Sequence, residues 1–173
     1  MAESTSAGDG DDVFVLPRVP VSAGAMIFDY SGRLLILKPT YKSGWTIPGG
    51  IMEADGETPW EACQREVREE CGLEVASSRL ACMDFRRPRE GHPGGIRFLF
   101  DCGQLPDWAL AGILLQSAEI SAHRLVPAAE ALSLLRPPIR RRVRAALGRG
   151  GLPPNGSPVY LEDGRPVPAV RPA

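Results

Sequence analysis

An α/β fold is predicted by three observations: two strand-like runs near the start, a sharply capped helix behind a Gly-Gly break, and later strands followed by short helices. The 173 residues favour one domain with a core large enough to need no staples. Residues 1–17 read as a flexible acidic leader, 18–147 as the folded domain, and 148–173 as a Pro/Gly-rich tail with a small hairpin.

The elements follow in order. Val21 to Phe28 and Arg33 to Lys38 read as strands joined by DYSG turn chemistry. LLIL is a continuous apolar run, expected to be buried on both faces. WTIPGG reads as a break that neither helix nor strand crosses. Thr58-Pro59-Trp60-Glu61 then supplies an N-cap, a Pro at the first helical position and a capping-box Glu, and Gly72 the stop. Trp60, Cys63, Val67 and Cys71 fall on one stripe of that helix and are assigned to the core.

Strands are expected near 79–86 and at Ile96 to Cys102, flanking the basic loop RRPREGHPGG. QLPDWALAGILLQSAEI fits neither period and is read as a loop with a short strand or turn. His123 to Val126 reads as a last core strand, with helices at Pro127 to Leu135 and Pro138 to Leu147. VYLEDGRPV reads as a hairpin on a D-G turn, either docked on the domain or reaching the partner of a homodimer.

Composition excludes several classes. The net charge of −1 predicts no general attraction to nucleic acid or membrane. No apolar run is long enough to span a bilayer, and none follows a basic N-terminal segment, so neither a membrane helix nor a signal peptide is expected. Cys63, Cys71, Cys82 and Cys102 form no CxxC pair, and His92 and His123 stand apart, which argues against zinc. Four reduced thiols fit a cytoplasmic protein. RRRVR is read as the wet face of an amphipathic helix, with Ile139, Val143 and Leu147 packing down; a nucleic-acid patch is the lesser reading.

The chemistry concentrates in REVREECGL. Glu66, Glu69 and Glu70 sit at i, i+3 and i+4, off the apolar stripe, where like charges cost helix stability unless a cation lies between them. Carboxylates in that half-shell suit Mg²⁺, which takes oxygen ligands, keeps waters and adds substrate phosphates. A glycine turn upstream lets backbone approach the same ion closely.

PGG…GETPWEACQREVREECGL resembles the signature box of the Nudix (MutT-like) hydrolases. Glu57, seven further residues and then Arg65-Glu66-Val67-Arg68-Glu69-Glu70-Cys71-Gly72-Leu73 match without a gap. Six residues rather than the family's five separate Gly50 from Glu57, which reads as one extra residue at Ala54-Asp55. The resemblance implies the Nudix fold, an α/β/α sandwich on a mixed β-sheet, over roughly 18 to 136.

It further implies Mg²⁺ or Mn²⁺ held by Glu66, Glu70 and Glu69, with the Gly49 carbonyl and Glu57 assisting and Arg65 orienting the carboxylates. The implied reaction is attack of an activated water on a pyrophosphate, with Glu66 or Glu69 of the box, or a later carboxylate, as base. Glu119 is the first later candidate and Asp107 the second; an exposed loop acid is the equal reading of Glu119.

Arg86, Arg87, Arg89 and Arg97 are candidate phosphate contacts, and Trp108 a candidate base-stacking residue. Pro88 stands where ADP-ribose-cleaving members carry a proline. The expected substrate is a nucleotide-like diphosphate: a nucleoside triphosphate such as 8-oxo-dGTP, or ADP-ribose or another nucleotide sugar. The alternatives are a non-nucleotide diphosphate and a nucleotide-sensing domain without turnover.

Overall fold

The structure, a computed structural model, describes residues 18–148 and 157–167. The acidic leader 1–17 and most of the linker before the tail hairpin lie outside the described residues. Among the described residues the strands are β1 (Val21–Phe28), β2 (Leu34–Pro39), β3 (Gly49–Ile51), β4 (Arg79–Arg86), β5 (Gly95–Gln104), β6 (Ile120–Val126), β7 (Val159–Glu162) and β8 (Arg165–Pro166). The helices among them are α1 (Pro59–Cys71), α2 (Asp107–Ala111), α3 (Ala128–Leu134) and α4 (Pro137–Leu147).

One mixed sheet runs β6-β2-β1-β5-β4-β7-β8, with β3 pairing β1. β1–β5 and β4–β7 are parallel and the other pairs antiparallel. Leu34, Leu35, Ile36 and Leu37 are fully buried, because alternate side chains enter two cores. Ala23, Ala25, Leu35 and Leu37 pack beneath α1 with Cys63, Val67 and Cys71. Met26, Leu34 and Ile36 pack on the opposite face with Ala131 and Leu135 near α3 and Val143 and Leu147 of α4. The α/β/α sandwich follows.

Several elements differ from their sequence reading. The Gly-Gly segment is not a break but a strand, β3, paired to β1 through Ala23↔Gly50 and Gly24↔Gly49. Its three residues are too few for any periodicity to register. The ambiguous stretch after β5 contains α2, a single turn whose Leu110 is buried against the α1 core, with Ile113 and Leu115 behind it partly buried there. β6 lies at the edge of the sheet and is not the last strand, because β7 and β8 extend the far edge beside β4. The hairpin turns at Asp163-Gly164, both at positive φ (51° and 76°), the geometry that D-G favours. Arg142 does not face water as the arginines of α4 were expected to; it turns inward to Asp84 at 3.4 Å.

Candidate active site

Two local signals build the site. The capping box forms as read: Thr58 accepts from Glu61 N–H while Glu61 accepts from Thr58 N–H. This fixes where α1 starts and therefore which residues face β3. Gly49 and Gly50 then let β3 lie close to β1 on one side and to α1 on the other. A Cβ on Gly49 would lie 2.3 Å from the Ala23 carbonyl oxygen, and one on Gly50 would lie 2.2 Å from Glu66 Oε1. At Gly49, with φ at 142°, a side chain would run into the β1 backbone; at Gly50 it would displace the Glu66 carboxylate.

Arg65 gathers three carboxylates. Its Nε donates to Glu57 Oε1 at 2.8 Å, and Nη1 reaches Glu66 Oε1 at 3.1 Å and Glu69 Oε2 at 3.0 Å. Nη2 donates to the Ile51 carbonyl at 3.0 Å, tying the cluster to β3. Arg65 is therefore held well above its ordinary pKa, chiefly by the hydrogen bond to Glu57. The same bond holds Glu57 below the usual carboxylate range. The extra residue upstream has a local role: Asp55 Oδ1 accepts from Glu57 N–H at 3.1 Å, and Glu57 Oε2 accepts from Glu53 N–H at 2.8 Å.

Glu70 stands apart from Arg65. It is 5% exposed, and its Oε2 accepts from Gly49 N–H at 2.8 Å. Burial pushes its carboxyl up to about 8; the Gly49 bond opposes this, while Glu66, Glu119 and Glu69 add to it. Glu66 is also raised, by burial first, with Arg65 opposing. Gly49 thus meets the cluster through its N–H.

Glu119 comes from far along the chain. Its carbonyl accepts from Thr40 N–H at 2.8 Å, beside the β2–β6 pair, and this places its charge where it acts on Glu66 and Glu70. The C-terminal end of α1 is tied to the same loop by Gln116 N–H to the Glu70 carbonyl at 3.3 Å. Tyr41, which sequence reasoning did not single out, lies here too. Its phenol is raised by burial and then by Glu70 and Glu119.

The other candidates sit elsewhere. Arg87 pairs with Glu162 and with Asp163, and Arg86 Nε lies 3.4 Å from Asp163 Oδ1, so both face the tail hairpin. Arg89 and Pro88 line the same region. Arg97 spends its guanidinium on the Gly94, Pro20 and Ile96 carbonyls. Its side chain also lines a cleft of about 90 Å³ with Ser22, Thr46, Gly49, Gly50 and Arg142, on the α4 side of the sheet. Trp108 on α2 is 78% exposed, and Asp107 begins the same helix.

Among the described residues, no group of three or more His, Cys, Asp or Glu side chains is arranged to hold a metal ion as it stands. The donors nonetheless fit a hard cation. All are oxygen, and Glu66 and Glu70 oppose each other's charge in a buried setting. A site that keeps waters and adds substrate phosphates needs only one or two carboxylates.

A profile of the NUDIX domain matches residues 18–147. The chain is 38% identical over 64 residues to a MutT-like protein of Streptomyces ambofaciens, covering 37% of this chain and 41% of that one. It is 35% identical over 99 residues to human 8-oxo-dGDP phosphatase NUDT18, covering 57% of this chain and 27% of the relative. The chain thus spans less than half the length of either relative. The crystal structure of the MutT protein from Methanosarcina mazei Go1 superposes with a TM-score of 0.59 at 25% identity, over 70% of this chain and 87% of that one. The geometry of α1 beneath Gly49-Gly50 and this match over the folded region agree: the chain belongs to the Nudix hydrolase family.

Proposed function

We propose that this protein is a divalent-cation-dependent pyrophosphohydrolase acting on a nucleoside diphosphate linked to another group. The substrate class we assign is a nucleoside triphosphate, ordinary or 8-oxo-purine, or a nucleotide sugar such as ADP-ribose. One observation carries the reading: buried Glu70 and half-buried Glu66 face β3, while Arg65 restrains Glu57, Glu66 and Glu69 beside them. Human NUDT18, named an 8-oxo-dGDP phosphatase, and the RNA pyrophosphohydrolase of Halorhodospira halophila, 30% identical over 110 residues, lend support to a phosphoanhydride substrate.

Glu66 and Glu70 are the residues that would hold Mg²⁺ or Mn²⁺, with Glu69, Glu57 and the Gly49 backbone at its margin. When bound, such a cation neutralises phosphoryl oxygens and makes water more acidic. The chain supplies the rest. Gly49 N–H fixes the rotamer of Glu70. Arg65 holds the remaining carboxylates in place against their mutual repulsion. Glu69 or Glu119 accepts the proton of the attacking water as its oxygen bonds to phosphorus. The bridging P–O bond then breaks, and its electron pair leaves with the second phosphate. The cleft lined by Ser22, Thr46, Gly49, Gly50, Arg97 and Arg142 adjoins the Gly-Gly strand and receives the far side of the substrate. Four unpaired buried cysteines support work in a reducing compartment such as the cytoplasm.

The test is a chromatographic substrate panel with Mg²⁺ and, separately, Mn²⁺: nucleoside triphosphates, 8-oxo-dGTP, ADP-ribose, NADH and dinucleoside polyphosphates. Cleavage of one class, with products naming the bond broken, is expected. Nucleotide binding with no cleavage in any arm would point to a sensing domain.

A further inference from the structure

A second cavity lies away from α1, between the β4–β5 loop, α4 and the tail hairpin. It measures about 510 Å³ and shares no residue with the carboxylate cluster. Five arginines line it: Arg86, Arg87, Arg89, Arg141 and Arg165. Only Glu162 and Asp163 oppose them; Arg87 is paired to both and Arg86 to Asp163. Arg89, Arg141 and Arg165 are exposed and form no ion pair among the described residues. Arg141 lies over the hairpin turn, its Nε 2.7 Å from where a Cβ on Gly164 would stand. Arg86 is 7% exposed, and its buried Nε makes no hydrogen bond, only the 3.4 Å ion pair to Asp163. A buried donor held only by a long ion pair gains from a closer acceptor, and a guanidinium fork matches phosphate oxygens.

We propose that this cavity binds a small polyphosphate anion, clamped between α4, the β4–β5 loop and the hairpin. Five guanidinium groups against two carboxylates leave an excess of three positive charges, which suits a di- or triphosphate group better than a single monoanion. The phosphate is either free inorganic pyrophosphate or the phosphate chain of a nucleotide.

Calorimetric titration of inorganic pyrophosphate into the full chain, in buffer with EDTA, tests the site without the metal reaction. Saturable binding is expected, equal in wild type and Glu70→Gln and weakened by added salt. Arg141→Ala and Arg165→Ala should each weaken it about tenfold, the loss of one charge-assisted hydrogen bond. Competition by ADP would assign the phosphate to a nucleotide, and its absence to the free anion; either supports the site. Should Arg165→Ala loosen the hairpin, Arg89→Ala in the loop gives the same readout from outside it. Absence of binding in wild type overturns the proposal. So does unchanged affinity in the Arg141 and Arg89 variants, sulfate binding as tightly as pyrophosphate, or loss of binding in Arg97→Ala instead.

Discussion

Glu70→Gln keeps the volume of Glu70 and can still accept from Gly49 N–H, but it cannot ionise to the carboxylate that a cation would take as ligand. Outer-shell partners of metal ligands typically cost about 10–100-fold when lost, so a ligand itself should cost at least about a hundredfold in turnover with little change in melting temperature. Gly50→Ala acts sterically. Its Cβ would meet the Glu66 carboxylate at the end of a side chain that can move aside, so a loss of turnover with little change in denaturant melts is expected. Asp29 offers a pH readout. Burial pushes its carboxyl up, yet the N–H groups of Arg33 and Ser31 and the Arg33 guanidinium at 2.5 Å outweigh it and hold it low. A lowered folded value means the contribution is present above the ordinary aspartate range and lost as pH falls through the folded value. The stability gap between wild type and Asp29→Asn should therefore shrink below about pH 4, as melting temperatures against pH would show. Glu66, Glu69, Glu70 and Arg65 were legible in the sequence because helical spacing alone puts them together. Tyr41 was not, because it reaches the cluster through a Thr40–Glu119 contact across 79 positions.

At the scale of elements, α1 was legible because its cap, stripe and stop are all local. The tail hairpin was legible as a turn but not as part of the sheet. Its seat is Asp84, fully buried, which accepts from Gly164 N–H at 2.8 Å and faces Arg142 on α4. A parallel partner so distant leaves no trace in periodicity. Arg86 and Arg87, read as phosphate contacts, meet the hairpin for the same reason. Asp84→Ala should cost about 3–5 kcal/mol, because Arg142 is left buried without its charge partner. Adding Arg142→Met should recover much of that loss in a double-mutant cycle. Full additivity of the two substitutions would show that they do not share a network.

Across the whole molecule, the sheet brings three separate stretches to one end of α1: β3, the α1 carboxylates and the loop bearing Glu119. Among the described residues no helix is long and apolar enough to cross a membrane. A cation bound by the folded cluster and not by the unfolded chain should raise the melting temperature as its concentration passes the dissociation constant. The most direct measurement is Mn²⁺ binding by electron paramagnetic resonance in wild type and Glu70→Gln, paired with turnover of the best panel substrate. The account predicts one saturable Mn²⁺ population in wild type, weakened in the variant in step with its lost turnover. Equal Mn²⁺ affinity and equal turnover in the two proteins would contradict it.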